Sequence, residues 1–140
     1  VEFALVAPLL LLLLFGIISY GYMLSFRQAL SQAAAEGARA AAVAPVAANR
    51  QADAMAALNE GLASYGVSCT STGLMKGSTP VGTCSVSTPT SCTGSGTTSP
   101  LCIKVSVDYL YGAHPLTPAF PGLGAVLPDH LQYSSSARVS

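Results

Sequence analysis

The sequence predicts an α+β protein: a long N-terminal hydrophobic helix, a second shorter helix, and a small antiparallel sheet that forms a head. Three observations carry this reading. Residues 3–26 contain no charged side chain. An alanine-rich tract extends from that run to Pro45. Two late segments, LCIKVSVDYLY and LQYSSSARVS, alternate apolar and polar residues, the period of half-buried strands.

The apolar run is long enough to cross a bilayer, for which about 20 residues suffice. A cleavable signal peptide fits less well, because its apolar core is usually about 7–15 residues behind a basic start. Here the start is acidic, with Glu2. A fully buried core helix fits poorly too, since the rest of a 140-residue chain could not cover such a helix on all sides. Beyond the run, RQALSQAAAEGARAAAV continues the helix, alanine being the best helix former. Glu36 and Arg39 are spaced to pair along one face. Ala33, Gly37 and Ala41 recur every fourth residue, a small-residue stripe that lets another helix approach closely. Pro45 ends or kinks this helix and can open the next. Residues 1–44 are thus expected to form the long membrane-spanning helix and residues 45–140 the α+β head.

In residues 46–65, Ala54, Met55, Leu58 and Leu62 line one side and Val46, Asn49, Arg50 and Asp53 the other, a moderately amphipathic helix with Gly66 placed to cap it. From Thr70 to Pro100 the chain is mostly Ser, Thr, Gly and Pro, a composition of linkers. The cysteines and the short strand-like VGTCSV argue for order. Ile103, Val105, Val107, Tyr109 and Tyr111 share one face of the first alternating segment, and Leu131, Tyr133, Ala137 and Val139 one face of the second. Between them runs a proline-rich excursion longer than a usual connection, which Leu116, Phe120 and Leu123 are expected to pin down.

Four cysteines in a small domain beyond a membrane segment suggest disulfides in an oxidising compartment. Three connectivities exist; Cys69–Cys84 with Cys92–Cys102 is favoured because each closes a short loop. Zinc would want tighter ligand spacing than these cysteines have, and histidines nearby. The formal net charge is zero, with six basic and six acidic residues, so no basic field exists to hold nucleic acid as a main partner. No phosphate-binding loop or nucleophile elbow is present. His114, His130 and Asp129 around the proline-rich loop, or Asp108 with Asp129, have no catalytic motif behind them. No enzyme activity, cofactor or metal is expected.

Several blocks resemble the TadE-like pilins of tight-adherence secretion systems, a branch of the type IV pilin superfamily. They are Val1-Glu2-Phe3-Ala4-Leu5, Pro8-Leu9-Leu10-Leu11, Arg27-Gln28-Ala29-Leu30 and Glu36-Gly37-Ala38-Arg39-Ala40-Ala41. Towards the C-terminus, Val105, Val107, Tyr109 and Tyr111, then Pro-Leu-Thr-Pro at 115–118 and a final Ser-Ala-Arg strand, are similar to the family as well. The cysteine-bearing middle has no counterpart. The resemblance implies a structural pilin that leaves the inner membrane for an extracellular filament serving adhesion. Its partners would be other copies of itself, a prepilin peptidase and the pilus assembly machinery. Alternatives are a minor pilin that primes or caps assembly, and a membrane-tethered binding domain that never polymerises. The family's usual cleavage position, a few residues before the glutamate, would lie outside the sequence as it starts here. By carry-over, Glu2 would meet the N-terminal amine of a neighbouring subunit and set register, with Phe3, Ala33, Gly37 and Ala41 in the assembly surface. From the residues alone, Glu2 could equally lie at the headgroup level, where a carboxylate costs little.

Overall fold

A computed structural model describes residues 2–92, 100–118 and 122–139, excepting the side chains of Glu2 and Leu123. One helix, α1 (Glu2–Val43), spans 42 residues, about 63 Å at 1.5 Å per residue. The uncharged run and the alanine tract form a single continuous helix because nothing between them breaks it. Pro8 lies inside the helix, where it withholds one backbone donor; transmembrane helices absorb such a loss by local adjustment.

A short 3-10 turn (Ala47–Asn49) leads into α2 (Arg50–Leu62), whose buried residues are Ala54, Leu58 and Leu62. Their spacing is the amphipathic pattern of the sequence, with Met55 half-buried at its edge. The chain leaves this helix through a second 3-10 turn (Ala63–Tyr65) capped by Gly66 at φ 67°, a left-handed position that glycine occupies without steric cost.

Among the described residues six antiparallel strands follow: β1 (Val67–Thr70), β2 (Gly73–Lys76), β3 (Thr79–Val86), β4 (Thr90–Ser91), β5 (Leu101–Tyr109) and β6 (Leu131–Val139). The order is β1-β2-β3-β5-β4, and β6 also pairs with β5. β5 is the central strand. β6 pairs along its whole length, while β3 pairs with residues 105–109 and β4 with residues 101–102. The two long alternating segments are therefore adjacent strands. In β5, Ile103, Val105, Val107 and Tyr109 are buried; in β6, the ends Leu131 and Val139 are buried, with Tyr133 and Ala137 packed at the core's margin. The Ser/Thr-rich middle is more ordered than its composition suggests. It supplies β2 to β4, held by Leu74 and Val81, both buried, and turned at Gly77, whose φ of 61° suits a two-residue hairpin loop.

The sheet packs against one stripe of α1. Met23, Phe26, Leu30, Ala33, Ala34, Ala38 and Ala41 are buried in the same cluster as the sheet residues. The upper half of α1 is thus part of the head's core. The division expected at residue 44 separates chain segments, while the packing boundary falls inside α1, near Ser19. Phe26 is the centre of an aromatic cluster, 4.9 Å from Tyr65 and 4.8 Å from Tyr109 between ring centroids, both edge-on. Asn59 ties α2 to the sheet: its Nδ2 donates to the Cys69 carbonyl at 3.1 Å, and the Cys69 N–H donates to its Oδ1 at 2.6 Å. This amide completes the outer edge of β1 as a strand would.

Candidate assembly site

The two halves of α1 differ in cover rather than in helicity. From Phe3, 83% exposed, through Leu12 at 65% to Ile17 at 63%, most large apolar side chains face outwards, Phe15 being the least exposed of them at 39%. Ser19 is the first fully buried position, and from Met23 onwards one stripe is covered by the head. The helix is long and apolar enough to cross a membrane. Removing this much hydrocarbon from water is worth about 25 cal/mol per Å², so a bare shaft of leucine, isoleucine and phenylalanine demands an apolar environment.

Glu2 is the first residue of α1; its side chain lies outside the described atoms, as does Val1. Phe3 begins the exposed shaft. Ala33, Gly37 and Ala41 have a different place. All three are buried, and the chain's own α2 approaches α1 at Ala33 and Gly37. A Cβ added to Gly37 would stand 3.1 Å from the Ala54 carbonyl oxygen and 3.6 Å from the Leu58 Cβ. Across the same contact, a Cβ on Gly61 would come within 2.9 Å of the Ala33 Cβ. The stripe brings helices together within one subunit; a part for Ala33, Gly37 and Ala41 in contacts between copies stays an expectation of the sequence. Small residues fix how closely backbones meet, not which helix arrives.

The head is closed by two disulfides, Cys69–Cys84 and Cys92–Cys102, the short-loop pairing. The first joins β1 to β3 across the hairpins. The second fastens β5 to the end of β4, where the Cys92 N–H also donates to the Pro100 carbonyl at 2.9 Å. Cross-links closing loops of these lengths remove about 3 kcal/mol of unfolded-chain freedom each, in a region with few large apolar side chains. Residues 93–99, which the second bridge encloses, are outside the described set, as is Phe120; Leu116 packs at the margin of the core.

The polar groups that invited a catalytic comparison are structural in their geometry. His130 Nδ1 lies 3.1 Å from Asp108 Oδ1, and Gln132 Nε2 donates to Asp108 Oδ2 at 2.8 Å. Asp108 and Gln132 are directly opposed in the β5–β6 ladder, so this is a cross-strand surface cluster. No cluster of metal-ligating side chains occurs among the described residues. Arg27 lies over the Tyr133 ring and its Nε donates to the Tyr133 hydroxyl, fastening β6 to α1 just above the apolar shaft.

Residues 1–39 match the TadE-like protein family. This is a pilus-associated structural family, and the match lies on α1, the element whose lower half is exposed. No curated protein and no solved structure matches the chain. The TadE-like segment therefore carries a head whose likeness to other proteins is not set by the match, which ends before α2.

Proposed function

We propose that this protein is a structural pilin subunit of a Tad-type pilus, which polymerises through α1 into an extracellular filament used for adhesion. One observation carries the reading: the TadE-like segment holds an apolar shaft of about 16 residues, most of whose large side chains stay exposed. Such a shaft has two apolar environments available, the inner membrane before assembly and the shafts of neighbouring copies afterwards. Glu2, at the mouth of the shaft, would pair with the N-terminal amine of the adjoining copy; a carboxylate drawn into an apolar core stays ionised only with such a partner. A prepilin peptidase and the pilus assembly machinery act on the subunit before it leaves the membrane.

A second reading, a minor pilin that primes or caps the filament, is favoured by the inward use of Ala33, Gly37 and Ala41. With that stripe consumed by α2, copies meet only through the lower shaft and the polar outer surfaces of the head. Filaments sheared from cells and resolved by electron microscopy separate the two. The major-subunit reading expects this chain repeated along the filament; confinement to a tip or base makes it the minor one, and retention in membranes with filaments lacking it overturns both. Glu2→Ala is expected to reduce filament yield without altering the amount of protein in the membrane. Unchanged yield removes the register role.

A further inference from the structure

The proline-rich excursion between β5 and β6 does more than connect two strands. Residues 109–128 contain no Asp, Glu, Lys or Arg. After Tyr111 the chain passes down beside α1, and Tyr111, Pro115, Thr117, Gly124 and Leu127 line a pocket with Ser19. This is why Ser19 is buried while Ile17 and Ile18 are not. Beyond it, Gly122 and Val126 share an open apolar groove of about 750 Å³ with Leu12, Gly16, Ile17 and Tyr20. Val126 is 70% exposed, and no charged side chain lines that groove.

The height of this loop along α1 decides what covers it. A span of about 30 Å starting at Phe3 ends near Tyr22. Tyr20 and Tyr22 are part-exposed and suit the interfacial band where tyrosines concentrate. Arg27, the first charge after Glu2, stands just above them. The loop reaches the level of Gly16 to Tyr20, at or below that band. We propose that residues 122–127 form a second membrane contact: an apolar loop of the head inserted among lipids at the headgroup–acyl boundary of the outer leaflet, beside α1. Irregular backbone is not tolerated in the hydrocarbon centre, so the insertion is shallow, about 5–10 Å as for interfacial elements. The occupant of the groove is a lipid acyl chain, because the groove opens sideways from a helix that is itself surrounded by lipid at this depth. The contact would fix the tilt and height of the head over the bilayer, and must be given up when the subunit leaves the membrane.

This inference rests on α1 spanning the bilayer, so the test monitors both. The chain contains no tryptophan, and Val126 is exposed enough to accept one without repacking. Three full-length single-tryptophan variants, Val126→Trp, Leu12→Trp and Ser78→Trp, are reconstituted in phosphatidylethanolamine–phosphatidylglycerol vesicles with bromines either near the headgroup end or near the middle of the acyl chains. The expected result is at least twofold quenching of Val126→Trp by the shallow bromines and less by the deep ones. Leu12→Trp should be quenched most by the deep bromines and Ser78→Trp, on the β2–β3 turn, by neither. Quenching of Leu12→Trp without Val126→Trp overturns the loop contact and leaves the span intact. Absence of quenching at Leu12→Trp overturns the span and the loop contact with it. A blue-shifted Val126→Trp emission that is insensitive to bromine and reverts on dilution into excess lipid assigns the groove to a second copy and overturns the lipid contact.

Discussion

Tyr109 shows at the scale of one residue how the head holds α1. Its ring is buried edge-on against Phe26, and its hydroxyl donates to the His114 carbonyl at 2.9 Å, so the side chain fastens the helix and the start of the proline-rich loop together. Burial, reinforced by Tyr111 and Tyr22 nearby, pushes its pKa from 10.0 up to about 12. The folded state therefore keeps the phenol proton over a range in which the unfolded chain has lost it. This contribution is complete below pH 10 and is lost as pH rises from there through 12. Tyr109→Phe keeps the ring packing and removes both the bond and the titration. It is expected to cost about 0.5–1.5 kcal/mol near neutral pH and to flatten the alkaline fall in stability, as read by urea denaturation at a series of pH values. The fall should persist in part, because burial also raises Tyr111. An unaltered alkaline profile would show that Tyr109 does not carry it.

At the scale of elements, the contact between α1 and α2 is set by glycine and alanine, and its tolerance is correspondingly small. The space at Gly37 is bounded by the Ala54 carbonyl at 3.1 Å, the Val105 Cγ1 at 3.5 Å and the Leu58 Cβ at 3.6 Å from an added Cβ. A leucine there must force α2 away from α1, whereas at Gly16 an added Cβ meets nothing within 4 Å. Gly37→Leu is expected to lower head stability by about 1–3 kcal/mol or more, and Gly16→Leu to leave it unchanged, in thermal unfolding of the detergent-solubilised protein. Equal stability of the two variants would mean that the helices are not in close contact. The same elements mark what the sequence discloses. The long helix is legible because an uncharged run and an alanine tract each say helix without a break. β5 and β6 are legible because nine residues show the alternation several times over. β1, β2 and β4, of two to four residues, are too short to display a period, and serine and threonine give no apolar face to read. The small-residue stripe was visible as a place for close approach, but its partner was not, because α2 and a neighbouring copy would present the same alanine-rich surface.

The whole molecule is two structures on one helix, and the point where one gives way to the other can be located. Below Ser19 the shaft contributes nothing to the head's core; from Met23 upwards it contributes a continuous stripe. Phe26 is the largest part of that stripe, touching the rings of Tyr65, Tyr109 and Tyr111. Losing a buried phenylalanine side chain costs about 3–5 kcal/mol, against a total of about 5–15 kcal/mol for a typical domain. A chain beginning at Tyr22 retains Met23, Phe26 and the edge-on contact between Tyr22 and Tyr65 at 5.8 Å. It is expected to be soluble, monomeric and cooperatively folded, since the bare leucine and isoleucine surface is gone. A chain beginning at Gln28 forfeits Met23 and Phe26, and opens the aromatic cluster to water. It is expected to lose its near-ultraviolet tyrosine dichroism and its cooperative melt while its disulfides remain closed. Both outcomes are read by circular dichroism and size-exclusion chromatography of the two purified heads. If the shorter chain folds as well as the longer, the upper half of α1 is a passenger on the head rather than part of its core, and the boundary belongs nearer residue 44. If the longer chain also fails, the lower shaft supports the head in a way its exposed side chains do not account for.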